Sequence, residues 1–346
     1  MYTKVINIEG YKTGHIQGIA TDKERKYMYY SFTTCLIKTD MQGNVVGSVK
    51  GLAGHLGCIA YNYEDGRVYG SLEYKHDSVG TKILKKQTSV ADVEDGFYVA
   101  IFDVEKIDRL DMDAERDGIM TAVYLPEVLK DYYADGHKYG CSGIDGLTFA
   151  PIAGDVNGKK YLYVAYGIYG DVTRDDNDYQ VILRYNIDNW KNYEGSLNQN
   201  DMHRNGPETP DSKYFLYTGN TRYGIQNLEY DEVTNCIFAA VYRGQKETFP
   251  NFHMYVIDMK KPVTNEKLKN SDECGEVLHL AEIGHRDEKT GIYGIDFPYG
   301  NTGIISLGDG YFYFSENYTQ DLADGKAFGS NVRLYKFDGS TTFTEV

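Results

Sequence analysis

The chain has 346 residues, with Lys+Arg 36 against Asp+Glu 51 and a net charge of -15 at pH 7, a balance that repels phosphate and argues against nucleic acid or an anionic membrane as partner. No apolar run approaches the roughly 20 residues that cross a bilayer, and residues 1–5 lack the pattern of a signal peptide. Five scattered cysteines without a CxxC pair predict free thiols and a cytoplasmic location.

In chain order, Lys4-Val5-Ile6-Asn7-Ile8 reads as a lone strand. A repeated opening then begins, of the form small, x, Ile/Leu, x, small, Ile/Leu. It occurs at Gly14 to Ile19, Gly54 to Ile59, Ser142 to Leu147, Tyr223 to Leu228 and Thr290 to Ile295. After each opening and a polar turn comes a second strand rich in aromatic or β-branched residues: Tyr27 to Ser31, Arg67 to Ser71, Tyr161 to Ala165, Ile237 to Val241 and Tyr311 to Ser315. A third strand ends on Asp40, Asp103, Asn186, Asp258 or Asp338, whose short side chains can accept hydrogen bonds from the next turn. Fourth strands follow, among them Val45 to Val49, Thr121 to Leu125, Tyr214 to Tyr217 and Glu276 to Leu280. Pro126 to Tyr133 reads as a short helix, and Asn189 to Asp211 as a long polar loop.

Four antiparallel strands repeated five times resemble a five-bladed β-propeller, an all-β fold in which a blade buries its faces only when its neighbours stack on it. The expected blades are approximately 11–53, 54–137, 138–221, 222–289 and 290–346 in a single domain 1–346, with residues 3–9 closing the last blade. No WD, kelch or Asp-box signature assigns a family. In such a meander the start of strand one and the end of strand two share a face, here called the upper face. The long connections between strands two and three in blades two to five fall there, and long irregular loops are disproportionately functional.

The unusual polar residues gather at the same face. His15 and His55 occupy one column of the opening pattern, and Gln17, Asp145, Gln226 and Tyr293 another. The ends of the second strands add Glu73, Tyr166, Arg243 and Glu316. An upper-face funnel lined by these side chains is the expected ligand pocket. Glu73 and Glu316 are the candidate general acid and base, with Arg243 deciding which carboxyl stays ionised. His15, Gln17, His55, Asp145, Tyr166, Gln226 and Tyr293 are the candidate ligand contacts. In architecture alone the chain is similar to five-bladed propellers of the arabinanase-like type, which act on sugars, and that likeness implies a carbohydrate-processing hydrolase with a small-molecule or carbohydrate ligand. Two alternatives stand beside it. One is a metal-dependent hydrolase or lactonase, with His15, His55, Asp145 and Glu73 as ligands; the other is a non-catalytic scaffold binding a ligand or a protein. The sequence assigns no metal, no cofactor and no oligomeric state.

Overall fold

The computed structural model describes residues 2–78, 80–84, 93–323 and 325–346. Five small sheets stand in a ring, the arrangement of a five-bladed β-propeller. Inner strands are Ile16–Thr21, His55–Asn62, Cys141–Ala150, Arg222–Asp231 and Ile304–Ser306, and each pairs antiparallel with the second strand of its own blade. Between every two neighbouring sheets lies one apolar cluster. Tyr29 and Leu36 of blade one meet Leu56 and Leu72 of blade two; Tyr69 and Val99 of blade two meet Ile144 and Val164 of blade three. Tyr163 and Ile182 then meet Ile225 and Tyr255, Phe238 and Val256 meet Phe312 and Phe314, and Tyr313 with Val332 meets Ile16 and Tyr30. The tyrosines of the second strands are therefore interblade filling, burying ring area on both faces of each sheet.

The opening pattern has a geometric cause. In blades one to four the ladder slips directly after the first Ile/Leu, at Ile16, Leu56, Ile144 and Ile225, leaving a β-bulge in each inner strand. A bulge bends the strand and turns the extra residue out of the ladder. Small residues beside it let neighbouring inner strands touch. A Cβ on Gly18 would stand 2.7 Å from the Ile59 nitrogen, and one on Gly146 would stand 3.0 Å from Ile225.

The fifth opening lies elsewhere than the pattern predicts. Tyr293 pairs with Arg286, and Ile295 bridges Met254, so this segment runs along the outer edge of blade four. The true inner strand starts at Gly303, whose carbonyl accepts from the Ser315 nitrogen (3.1 Å) and which packs against Ile19. Asn301 stands before it where the other blades carry Ile or Leu, which hid the repeat. Two further expectations change. Cys274–Val277 pairs in parallel with Ser212–Tyr217 of blade three, and the short stretch from His279 to Ala281 runs beside Val256 to Asp258 of blade four. The long connection expected between strands two and three of blade five, residues 317–330, is mostly ladder, the hairpin of Tyr311–Leu322 with Gly325–Phe337.

Both chain ends lie in the fifth sheet. Val5–Tyr11, the expected closing strand, covers Gly325–Phe337 from Phe328 to Arg333, and Phe343–Glu345 covers it from Tyr335 to Phe337, so two strands share one edge. Of the five strand-ending residues, Asp40, Asn186, Asp258 and Asp338 accept backbone N–H groups of the following turn, while Asp103 pairs with Lys106 instead. Pro126–Tyr133 is a helix with proline in its first turn. No helix among the described residues is long and apolar enough to cross a membrane.

Halfway along the axis, the buried Asn227 side chain donates to the carbonyls of Gln17 (2.8 Å) and Asn301 (3.2 Å), tying blade four to blades one and five. Asn227→Ala strips the partner from two interior carbonyls and is expected to cost about 1–3 kcal/mol, read as a lower urea midpoint. An unchanged midpoint would show that the bridge contributes nothing.

Candidate functional site

At the upper end the bulges and strand ends assemble a compact charged cluster. His55 opens its inner strand directly opposite Glu73 in the ladder, and its Nδ1 lies 3.3 Å from Glu73 and 3.9 Å from Asp145. Glu73 also accepts from Lys75 Nζ (2.7 Å) and from the Ile144 nitrogen (3.1 Å). Lys75 donates further to the Ser142 carbonyl (2.8 Å), and Gln226 donates to Asp145 (2.9 Å). Gly143 explains why blade three lacks the histidine of blades one and two. Its φ is +131°, and a Cβ there would collide with Glu73 Oε2.

The two carboxyls of this cluster are driven apart. Burial and the Glu73 charge push Asp145 up to about 7. Glu73 is also raised by burial, but Lys75 and His55 outweigh that and hold it below its ordinary value. Burial lowers His55, yet Glu73 and Asp145 more than reverse it and the imidazole ends raised. His15 is lowered by burial and by the charge of His55, so the two histidines sense each other across adjacent blades. The division expected between Glu73 and Glu316 under Arg243 is not formed by that trio; the carboxyl that neighbours Glu73 is Asp145, raised where Glu73 is lowered, and the cation beside them is Lys75.

The remaining candidates lie apart from this cluster. Glu316 accepts from Arg333 (3.0 Å) and Tyr335 (2.5 Å) on its own sheet. Arg243 is exposed, donating to the Asn251 carbonyl (2.6 Å) and lying 3.9 Å from Asp296. Tyr166 is fully buried and donates to Asp131 (2.9 Å). Gln17 donates to Thr33 (3.4 Å), and Tyr293 sits on the outer edge of blade four. The structure therefore gathers His55, Glu73, Asp145 and Gln226, with His15 nearby, and leaves Gln17, Glu316, Arg243, Tyr166 and Tyr293 outside. Among the described residues no group of three or more His, Cys, Asp or Glu side chains is placed to hold a metal ion; within the cluster, the Lys75 ammonium supplies the positive charge.

Open space lies at the opposite end. A cavity of about 460 Å³ opens at the lower mouth of the axis, lined from all five inner strands by Ile19, Ile59, Thr148, Glu229 and Ile305 with their neighbours. The space between His55, Glu73, Lys75 and Tyr74 at the upper end admits no water molecule.

No protein-family model matches the chain, and no curated protein does. Among solved structures, a functionally unknown protein from Desulfotomaculum acetoxidans is 10% identical over 99% of this chain and 79% of its own, with a TM-score of 0.40. PorZ, a surface component of the type-IX secretion system of Porphyromonas gingivalis, is 12% identical over 95% and 33%, with a TM-score of 0.37. The PQQ domain of pyranose dehydrogenase from Coprinopsis cinerea is 10% identical over 90% and 81%, with a TM-score of 0.38.

Lys75 and Glu229 were not among the sequence candidates. Both had a signal. Side chains alternate along a strand, which puts Lys75 on the same side as Glu73 and Glu229 on the same side as Asn227.

Proposed function

We propose that this protein is a non-catalytic binding propeller that takes a small molecule in the axial cavity of its lower face. The observation that carries this reading is the location of open space. The cavity collects side chains from all five blades, while in the upper cluster Lys75 is bound to Glu73 and Gln226 to Asp145. Its volume of about 460 Å³ falls in the range of small-ligand pockets. Aromatic rings of Tyr61, Tyr63 and Phe149 line it and offer flat apolar surface to a sugar or other ring.

A second reading, an acid–base hydrolase on the upper face, is favoured by one observation: Asp145 is pushed up to about 7 beside a carboxyl held ionised, the division that acid–base chemistry uses. One screen separates the two. Glycans and lactones are tested for turnover and for thermal stabilisation of the wild type, Tyr63→Ala and Asp145→Asn. The binding reading expects no turnover, and stabilisation that disappears in Tyr63→Ala. Turnover that survives Tyr63→Ala and is abolished by Asp145→Asn would replace it with the second reading.

A further inference from the structure

The lower cavity differs in charge from the molecule that holds it. Lys23, Arg25 and Lys160 stand against Glu229 and Glu232 in its lining, whereas the whole chain carries -15. Lys160 Nζ sits 2.5 Å from Glu232, 5.5 Å from the Tyr230 ring centre and 5.8 Å from that of Tyr63. Arg25 donates to the neutral Leu307 carbonyl and Tyr2 hydroxyl, and among the described residues no carboxylate forms an ion pair with it. Glu229 reaches the cavity from the inner strand of blade four. One of its oxygens accepts from the Ser306 nitrogen (2.8 Å), and the other has no hydrogen-bond partner among the described residues.

We infer that this cavity binds a small ring-bearing monocarboxylate, its carboxylate held between Lys160 and the unpartnered oxygen of Glu229 and its ring against Tyr61, Tyr63 and Phe149. The inference rests on the binding reading above and adds the ligand's charge and its coupling to a proton. Burial raises Glu229 to about 8, with the nearby Asp231 carboxylate adding to the rise and the Ser306 N–H and Lys160 opposing it. The other titratable groups facing it are Tyr63 from blade two, whose own ionisation is suppressed by burial and by Glu229, and the buried thiol of Cys58. Glu232, Arg25 and Lys23 stand at the mouth. At neutral pH the Glu229 carboxyl keeps its proton and donates it in a hydrogen bond to the ligand anion. With Glu229 neutral, the cations of Lys23, Arg25 and Lys160 face the carboxylates of Glu232, Asp231 and Asp22, so the cavity is close to neutral in a chain of charge -15, and its cations act on a ligand well inside the Debye length of about 8–10 Å.

Two matched pairs of probes test this by calorimetry: glucuronate against glucose, and 4-hydroxybenzoate against phenol. At pH 6.5 at least one acid is expected to bind about tenfold or more tightly than its neutral partner. At pH 9 its affinity falls about tenfold, because only about a tenth of the protein retains the Glu229 proton. Glu229→Gln keeps an N–H donor at every pH, so its affinity for that acid stays level between pH 6.5 and 9. Lys160→Met weakens the acid and leaves the neutral partner unchanged. If the neutral probes bind as well as the acids and Tyr63→Ala abolishes both, the cavity reading stands and the monocarboxylate inference falls. If no probe binds, or if binding is indifferent to Tyr63→Ala, Glu229→Gln and Lys160→Met in folded protein, the inference falls together with the assignment of the cavity as the site for these ligands.

Discussion

Glu73→Leu is expected to destabilise the protein by about 3–5 kcal/mol, the cost typical of removing one partner from a buried ion pair. Glu73 and Lys75 side chains are only 3% and 9% exposed, so neither charge has water to fall back on. Lys75 would keep the Ser142 carbonyl and a carboxylate of Asp77 at 3.7 Å, both weaker partners than the Glu73 carboxylate at 2.7 Å. Total stabilities of folded domains are about 5–15 kcal/mol, so a change of this size is readily seen in a urea titration. The double variant Glu73→Leu/Lys75→Met removes both charges, and it is expected to recover at least half of the stability that the single variant gives up, because apolar residues replace buried ion pairs at little cost. A single variant within about 1 kcal/mol of wild type would mean that the pair is hydrated and that the cluster is not a closed one. The same variant has a second readout. Without the Glu73 charge, Asp145 is freed of one of the causes of its raised pKa, and its carboxyl resonance should titrate at lower pH.

The five-sheet ring was legible because a blade must bury both faces, and that demand repeats the same spacing of small, apolar and aromatic residues around the chain. The repeat failed where geometry relieved it. In the fifth blade the approach to the axis is made by Gly300, Asn301, Thr302 and Gly303, and both glycines have positive φ. A turn of that kind needs no Ile or Leu, so the segment at residues 290–295 matches the pattern better while lying outside the inner ring. The site was legible in part for a related reason. Columns of the repeat find positions that face the axis, which is how His55, Asp145 and Gln226 came together. They do not tell how far a second strand's end leans towards the axis, and Glu316 and Arg243 turn to local partners instead. The lower cavity carries no loop signal, since it is built from inner-strand residues past the bulges, where Glu229 follows Asn227 by one alternation.

Asp145 makes the protein's stability depend on pH in a direction opposite to that of an ordinary salt-bridged carboxylate. Its carboxyl is raised from 3.8 to about 7 in the fold, so between those values the folded chain binds a proton that the unfolded chain has released. Stability from this group is complete below about pH 4 and declines as pH rises through about 7. Converted at about 1.36 kcal/mol per pH unit, the decline is at most about 4 kcal/mol, and the side chain's 13% exposure keeps solvent screening small. His55 acts in the same direction, because its raised folded value also gives stability that disappears as pH rises. Glu73 acts oppositely, contributing above its unfolded pKa and failing only as the solution becomes acid. Between pH 5 and 8.5 Asp145 and His55 prevail together with Glu229, whose carboxyl is likewise raised, to about 8, so the wild type is expected to have a lower urea midpoint at pH 8.5 than at pH 5. Asp145→Asn retains an acceptor for Gln226 and removes the carboxyl that must ionise. At pH 8.5 it should be more stable than wild type by about 1–3 kcal/mol, with a smaller advantage at pH 5. A wild type that gains stability over this interval, or an asparagine variant weaker than wild type at pH 8.5, would show that the contacts of Asp145 with His55 and Gln226 outweigh its burial and that it remains ionised at neutral pH.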